Sequence, residues 1–397
     1  MPLDLDGSRI YMGPCGIGLG HVGRTIPVAR ELKRLGAEVM FSTYLEAVEF
    51  VRRQGFPVVR SPAISLVSDS TGRIDLKATV LNRGVYTLAT LVKQIKAEME
   101  YIKSFGPDVV VSDSRLSTVA AGKLLGLPVA LILNQFRLMV PTAELNQNLI
   151  RIIDGGIMTV LSGGWGSSDV IIIPDFPRPY TICLDSLRIP RLYQDRVRMG
   201  GFILERKPEE VRGSERVRAE MGASETDKLI YAAISGPRQE KVPLIRMLKP
   251  IFEDFPEDVK VVMSTGDPEG GSEPVTSGSL TVIPWVEDRY RYLEAADAII
   301  CRGGHNTIMQ SICYGKPSII IPTPNHTEQY ANARRAKELG FAEAIHQDDV
   351  GREKFLSLIE MLTLNPEYEE RFGKINAMGF TDGIENTVEA IHELLPK

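Results

Sequence analysis

The sequence predicts an α/β protein with two Rossmann-like domains, each a doubly wound parallel sheet, facing a central cleft. Short β-branched runs, such as residues 108–113 and 170–174, alternate with longer amphipathic stretches, as in βαβ units. Glycine-rich loops stand between a strand pattern and the helix pattern that follows it. The length of 397 residues suits two domains better than one core.

Composition excludes several classes of protein. With 43% hydrophobic and 24% charged residues, the chain has an ordinary globular composition and is not expected to be disordered. A formal net charge of −5 argues against general nucleic-acid binding. The four cysteines have no paired CxxC spacing, which favours buried reduced thiols. Without a cleavable signal or a bilayer-length apolar run, we expect a cytoplasmic protein that can also rest on the inner face of the membrane.

The first domain is predicted to span residues 1–203. Its elements follow from apolar periodicity and from glycine and proline stops, such as Gly36 and the pair Gly106-Pro107. They are a strand at 9–12, a helix at 21–35, a strand at 38–43, a helix through Val51, a long helix at 80–105, a strand at 108–113, a helix to Leu125, and strands at 128–133 and 170–174.

A change in composition marks the second domain, predicted at residues 204–378. Residues 205–228 are strongly charged and carry few large apolar side chains. New strand patterns then follow at 229–233, 259–263, 280–283, 298–301 and 318–321. We expect the last stretch, 379–397, to form a helix that can pack back on the N-terminal domain.

The most informative segment begins at Arg302 and lies between two buried-strand patterns. Asn306 is a suitable helix N-cap, and Gly315 two residues before a proline is a suitable helix stop. A helix start leaves N–H groups without intrahelical partners at its positive dipole end, which suits a phosphate. Gln310 is one turn beyond Asn306 and can reach a ribose. The predicted diphosphate-binding residues are Arg302, Gly303, Gly304, His305, Asn306 and Thr307.

A second glycine loop precedes the first helix of the chain. Gly18, Gly20 and Gly23 formally match GxGxxG, but a dinucleotide site expects an acid ending the second strand, and that strand ends in Ser42-Thr43. We interpret the loop as one that allows close approach of a substrate, with Gly18 and Gly20 beside the donor phosphate and His21 as a catalytic base.

Asp113 ends a strand that opens on the same edge of the sheet as His21. A carboxylate hydrogen-bonded to the imidazole would fix its tautomer and stabilise the imidazolium. Two alternatives stay open. Asp113 suits a helix N-cap equally well, and His21 could be a purely structural histidine.

Three further loops carry candidate donor contacts. Ser235, Gly236 and Arg238 suit a diphosphate, or form only a tight turn. Trp285 and Val286 offer a surface for a nucleobase, or pack between domains. Glu328 and Gln329 can accept from and donate to sugar hydroxyls, although Glu328 alone also suits a helix start.

Together these motifs resemble the GT-B glycosyltransferases, in particular the MurG-like, glycosyltransferase family 28 group that contains the enzyme forming lipid II. The resemblance covers nearly the whole chain and is strongest at residues 285–344. It implies an N-terminal acceptor-binding domain and a C-terminal nucleotide-sugar-binding domain. It further implies a metal-independent, inverting hexosyl transfer with no cofactor besides the UDP-sugar donor, the best guess being N-acetylglucosamine.

One residue departs from that family pattern. Gln310 stands where UDP-using members carry a glutamate, so a thymidine or other nucleotide stays open. The apolar and basic residues of 79–103 and the apolar patches of 138–161 suit a lipid-linked acceptor, or a helix packed on the sheet. A UDP-sugar 2-epimerase and a non-catalytic nucleotide-sugar-binding subunit are the competing hypotheses, and a monomer or homodimer is expected.

Overall fold

The computed structural model describes residues 3–64, 84–136, 163–267 and 270–396, with side chains of the helix at 84–105 described from residue 89. The chain divides into two compact units. The second spans Arg206–Gly379, and the first joins the described residues before Arg206 to those from Phe380 onward. Each unit contains a seven-stranded sheet.

In the first unit the sheet has the order β3-β2-β1-β4-β5-β6-β7, and its strands are all parallel. The strand order reverses between β1 and β4, which makes this pair the switch point of the sheet. Its elements are β1 (Arg9–Pro14), α1 (Gly20–Arg34), β2 (Glu38–Thr43), α2 (Ala47–Arg53), β3 (Val58–Arg60), α3 (Gly84–Phe105), β4 (Val109–Asp113), α4 (Leu116–Leu124), β5 (Val129–Ile132), β6 (Val170–Ile173), α5 (Leu184–Leu187), a 3-10 turn (Arg191–Arg196) and β7 (Val197–Met199).

In the second unit the sheet has the order β10-β11-β9-β8-β12-β13-β14. Only the β10–β11 pairing is antiparallel, and the switch point lies between β8 and β12. Its elements are a 3-10 turn (Pro208–Glu210), α6 (Ser214–Glu220), β8 (Lys228–Ala233), α7 (Arg238–Glu253), β9 (Val259–Ser264), β10 (Val275–Ser277), β11 (Leu280–Ile283), α8 (Arg289–Ala295), β12 (Ala298–Cys301), α9 (His305–Cys313), β13 (Ser318–Ile320), α10 (Thr327–Glu338), β14 (Ala342–Ala344), a 3-10 turn (Gln347–Asp349), α11 (Arg352–Leu364) and α12 (Glu367–Asn376).

Both faces of the first sheet are covered, as a doubly wound fold requires. Ile10 and Met12 of β1 belong to one buried cluster, while Tyr11 between them belongs to another. This alternation follows from the two-residue period of a strand. The last helix, α13 (Gly383–His392), contributes Val388, Ala390 and Ile391 to the first of these clusters.

The predicted fold class of two parallel α/β sheets is confirmed, with the one antiparallel edge as an addition. Strands β2, β11 and β12 have the predicted bounds. Strands β3, β7, β10 and β14 were not predicted from the sequence, because each is only three residues long and, unlike the equally short β13, is mostly not buried.

The amphipathic segment predicted to suit a lipid-linked acceptor is described only in part. The described part of α3 buries Thr90, Gln94, Glu98 and Ile102, and exposes Val92. The buried stripe of α3 is therefore largely polar. The helix packs against α4, as an ordinary helix of the domain does. The apolar patches of 138–161 lie outside the described residues. Among those described, no helix is long and apolar enough to cross a bilayer.

Candidate active site and nucleotide site

The predicted site loops lie at the switch points of the two sheets. In the first unit, Pro14 and Asp113 are paired residues at the carboxyl ends of β1 and β4. In the second unit, Ala233 and Cys301 are paired at the ends of β8 and β12. In an open α/β sheet, ligands bind in the crevice outside such strand ends. The register therefore places both predicted loop sets where a substrate would be expected.

The expected contact between His21 and Asp113 is present in the first unit. His21 is the second residue of α1, and its Nδ1 lies 2.7 Å from Oδ1 of Asp113. The imidazole keeps 28% of its side-chain surface exposed, while the carboxylate is fully buried. Asp113 thus holds one ring nitrogen from the protein interior, and Nε2 is the nitrogen left for a substrate.

A third residue, Arg24, completes this cluster, and the sequence analysis missed it. Its Nε lies 2.5 Å from Oδ2 of Asp113, and its terminal nitrogen Nη2 lies 2.5 Å from Oδ1. Nη2 is also 3.3 Å from Nδ1 of His21. The available signal was the spacing, because residues three apart in a helix share a face. Arg24 is only 4% exposed, so its charge needs a buried partner.

The neighbouring strand ends hold the Arg24 guanidinium from the other side. Its Nη1 donates to Oδ1 of Asn134, 3.1 Å away, just beyond β5. Nη2 also lies 3.4 Å from Oγ of Ser114. Ser114 has a φ of 57°, a left-handed conformation uncommon for residues other than glycine. The chain turns sharply after Asp113 and brings a hydroxyl towards the arginine.

This arrangement fixes which proton His21 carries. With an acidic oxygen 2.7 Å from Nδ1, that nitrogen is the protonated one, because a lone pair there would face a negative charge. Nε2 is then a hydrogen-bond acceptor and can take a proton from an attacking hydroxyl. The cluster has the chemistry of a general base with a carboxylate orienter.

The carboxylate stays ionised despite its burial. Burial alone would raise the pKa of Asp113, but the charges and hydrogen bonds of Arg24 and His21 outweigh it and hold the pKa at about 2. Asp113 is therefore a permanent anion at neutral pH.

In the second unit, helix α9 begins two residues earlier than predicted. Its first residue is His305 and its N-cap is Gly304, so Asn306 lies inside the first turn and is not the cap. His305 is 4% exposed, whereas Gly304, Asn306 and Thr307 are half-buried at the helix start. A Cβ placed on Gly304 would meet no atom within 4 Å. The helix start thus has open space at Gly304, while the side chain of His305 is buried.

Gly303, which is predicted to contact the diphosphate, also has a structural role. Its N–H donates to Oε1 of Gln329, 3.2 Å away, and the carbonyl accepts from Nδ2 of Asn332 at 3.1 Å. A Cβ on Gly303 would lie 2.4 Å from the carbonyl oxygen of Gln329. The loop after β12 is therefore attached to α10, at a distance that only glycine allows.

Gln329 has its amide orientation fixed by this attachment. Its Oε1 accepts from the N–H of Gly303 and, at 2.8 Å, from the N–H of Thr323. Both neighbours are donors, so the oxygen must face them and the NH2 group must face away. The predicted donation to a sugar hydroxyl is compatible with this orientation, and the glutamine also holds two loops.

Arg302 is not a phosphate ligand in this structure, which corrects the prediction. It is 3% exposed, and its guanidinium donates to Oε1 of Gln347 at 2.8 Å and to the carbonyls of Glu240 at 2.9 Å and Ile321 at 3.2 Å. Burial lowers the pKa of Arg302 to about 10. The arginine therefore joins three segments beneath the loop.

The cation exposed at this edge of the second sheet is Arg238. It is the first residue of α7, and the structure gives it no hydrogen bond or ion pair among the described residues. Ser235 before it is exposed, and Gly236 has a φ of 120° with no atom within 4 Å of a built Cβ. These three residues remain candidates for a diphosphate.

The remaining predicted donor contacts are less exposed. Gln310 is 7% exposed in the second turn of α9, and Glu328 is half-buried in the first turn of α10. Trp285 and Val286 are half-buried after β11, and the N–H of Trp285 donates to the carbonyl of Gly271 at 2.9 Å. Nothing in the geometry of these four residues tests their predicted roles.

Two other predicted features are the first glycine loop and the cysteines. Gly18 has a φ of 67° with open space around a built Cβ, and Gly20 is exposed at the start of α1. The four cysteines are not joined in disulfides, and three of them are buried while Cys15 is half-buried.

Sequence reasoning also missed Glu240, an acid in the second unit. It lies in the first turn of α7 and is 5% exposed. Burial raises the pKa of Glu240, and the nearby His326 and Arg302 oppose that rise. A buried acid thus lies beneath the loop after β13, beside the glycine loop.

Comparison with known protein families gives two matches. The model of the glycosyltransferase family 28 C-terminal domain matches residues 236–387, and the model of glycosyl transferase family 1 matches residues 8–151. The first match contains the loops at Gly303 and Gln329, and the second contains His21, Arg24 and Asp113.

Individual relatives are also named as glycosyltransferases. An uncharacterized glycosyltransferase of Methanosarcina acetivorans is 29% identical over 336 residues, 84% of each chain. The UDP-N-acetylglucosamine--N-acetylmuramyl-(pentapeptide) pyrophosphoryl-undecaprenol N-acetylglucosamine transferase of Bacillus cytotoxicus is 22% identical over 98% of this chain and 100% of its own. The solved structure of the kitacinnamycin glycotransferase superposes with a TM-score of 0.68 at 17% identity, covering 98% of this chain and 100% of that one.

Proposed function

We propose that this chain, which is a MurG-like glycosyltransferase of the GT-B fold, transfers a hexose from a UDP-sugar to an acceptor hydroxyl with inversion at the anomeric carbon. The single observation that carries the proposal is the hydrogen bond from Nδ1 of His21 to Asp113, which leaves Nε2 as an oriented base. The name of the Bacillus cytotoxicus relative supports UDP-N-acetylglucosamine as the first donor to try and a lipid-linked hydroxyl as the first acceptor.

The reaction balances with one base and one leaving group. Nε2 of His21 takes the proton of the acceptor hydroxyl as the acceptor oxygen forms its bond to the anomeric carbon. The bond from that carbon to the β-phosphate oxygen breaks, and UDP departs with the electron pair. Displacement from the opposite face inverts the anomeric centre. The imidazolium that forms is adjacent to the Asp113 carboxylate.

The second unit supplies the groups proposed to hold the departing diphosphate. These are the N–H groups at the start of α9 around Gly304 and Thr307, together with Ser235, Gly236 and the exposed Arg238. Because such donors stabilise a diphosphate without a metal ion, we propose a metal-independent transfer. Chelation by EDTA is then expected to leave the rate unchanged.

A nucleotide-sugar panel tests the donor. UDP-N-acetylglucosamine, UDP-glucose, UDP-galactose and the corresponding thymidine nucleotides are compared by thermal shift, since a ligand that binds the native state raises its melting temperature. A UDP preference is expected. A preference for the thymidine nucleotides would show that the donor nucleotide is not UDP. It would be consistent with Gln310 at the position where UDP-using members carry a glutamate.

Kinetics of His21→Gln test the base. Loss of a general base lowers turnover by about 10²- to 10⁴-fold, while the donor-induced thermal shift stays at its wild-type value. Unchanged turnover would remove His21 from the mechanism.

The anomeric configuration of the product, read by NMR, tests inversion. Conversion of UDP-N-acetylglucosamine to a 2-epimer without acceptor would favour the epimerase hypothesis, and donor binding without transfer to any acceptor would favour the binding subunit.

A further inference from the structure

Arg24 contacts both oxygens of Asp113, and it shares one of them with His21. Its Nε and Nη2 form a fork on the carboxylate at 2.5 Å each, and Nη2 donates to the same Oδ1 that His21 contacts at 2.7 Å. A two-point arginine–carboxylate pair fixes direction as well as distance. The position of the oxygen that orients His21 is therefore set by Arg24.

Arg24 is itself held in place from a separate strand. Its Nη1 donates to Asn134 beyond β5, and its side chain is 4% exposed. Surface arginines of α1 behave differently: Arg30 is exposed and pairs with Glu205 and Gln54. Arg24 is thus a rigid part of the carboxyl edge of the first sheet and not a solvated cation.

The arginine also changes the charge balance of the cluster. A histidine with only a carboxylate would go from a net charge of −1 to neutral on taking up a proton. With Arg24 included, the cluster is neutral before proton uptake and positive after it. The described groups that act on the charge of Asp113 are Arg24 and His21, both from α1, while Asp113 and Arg115 both act on Cys15 in the loop after β1.

We propose that Arg24 is a positioning residue, which locks the Asp113 carboxylate so that His21 keeps its proton on Nδ1 and remains an uncharged acceptor at Nε2 until the acceptor hydroxyl arrives. This inference rests on the proposed function for its catalytic consequence. Its structural content, the tautomer and charge state of His21, stands without that function and is measured separately.

The experiment uses ¹⁵N-histidine spectra of the full-length protein. The chain has five histidines, so the imidazole signals of His21 are assigned by their loss in His21→Gln. In the wild-type protein we expect the Nδ1-protonated tautomer. In Arg24→Met the Asp113 carboxylate is no longer held in place, so the Nε2-protonated tautomer of His21 should appear and kcat should fall about tenfold or more.

Arg24→Lys separates charge from geometry. Lysine keeps the positive charge but lacks the planar fork, so kcat should still fall about tenfold or more with an unchanged KM for the donor. Arg30→Met is the matched control in the same helix, and it should leave the His21 signals and kcat unchanged.

Two results would overturn the proposal. The first is a folded Arg24→Met protein whose His21 tautomer equals that of the wild type. The second, decisive if Arg24→Met does not fold, is an Arg24→Lys protein with wild-type His21 signals and wild-type kcat. Absence of sugar transfer by the wild-type protein would instead contradict the proposed function, and it would leave the spectroscopic result standing.

Discussion

Replacing Asp113 by asparagine is expected to destabilise the first unit in a pH-dependent way. The variant keeps the size of the side chain but removes the charge that pairs with Arg24 and His21. Burial and these partners together leave the pKa of Asp113 at about 2, against an ordinary value of 3.8. At 1.36 kcal/mol per pKa unit, that shift corresponds to about 2 kcal/mol of stability at neutral pH.

The sign of the pH dependence follows from the lowered pKa. A group whose pKa is depressed by folding contributes its stability above its ordinary pKa, and that contribution disappears as the pH falls through the folded value. The free energy of unfolding of the wild-type protein should therefore exceed that of Asp113→Asn by about 2 kcal/mol at pH 7, and this difference should narrow between about pH 5 and pH 2. The lost pairing with Arg24 is already part of this difference, because Arg24 is one of the groups that lower the pKa of Asp113.

The two tryptophans allow the unfolding of the first unit to be measured alone. Trp165 is 5% exposed in the buried cluster of the first unit, and Trp285 is in the second. In a Trp285→Phe background, fluorescence during urea unfolding therefore reports on the first unit. Glu49→Gln, which breaks an exposed pair with Arg52, is the control and should cost less than about 1 kcal/mol. The reasoning would be refuted if the difference in unfolding free energy between the wild type and Asp113→Asn were the same at pH 7 and at pH 3.

Two further predictions concern the second unit. Gly303→Ala should destabilise that unit by about 1–3 kcal/mol, because its Cβ would lie 2.4 Å from a backbone oxygen, whereas Gly304→Ala should leave urea unfolding unchanged and reduce the donor-induced thermal shift. Equal effects of the two substitutions would contradict the separate roles. Gln329→Glu keeps an oxygen facing Gly303 and Thr323 but loses the NH2 donor, so KM for the donor should rise with stability retained, and Gln329→Leu should lower both. A wild-type KM in Gln329→Glu would show that the NH2 group does not contact the sugar.

Much of the fold follows from local patterns in the sequence. Buried parallel strands such as 298–301 read as apolar β-branched runs, and glycine or proline ends the helices between them. Edge strands β3 and β14 leave no such signal, because their three residues are mostly not buried. The pairing of β10 with β11 depends on a partner across a turn and not on a pattern within the strand.

By itself the sequence determined that His21 and Asp113 lie at one edge of a parallel sheet and that glycine loops precede the helices after β1 and β12. Those conclusions need only the rule that parallel strands end on the same side. Tertiary structure alone decided how the polar groups are used: Arg24 pairs with Asp113, Arg302 turns inward, and the N–H of Gly303 is taken by Gln329. The physical reason is that hydrogen-bond partners depend on register, burial and side-chain direction, which bring residues distant in sequence within hydrogen-bond distance of one another.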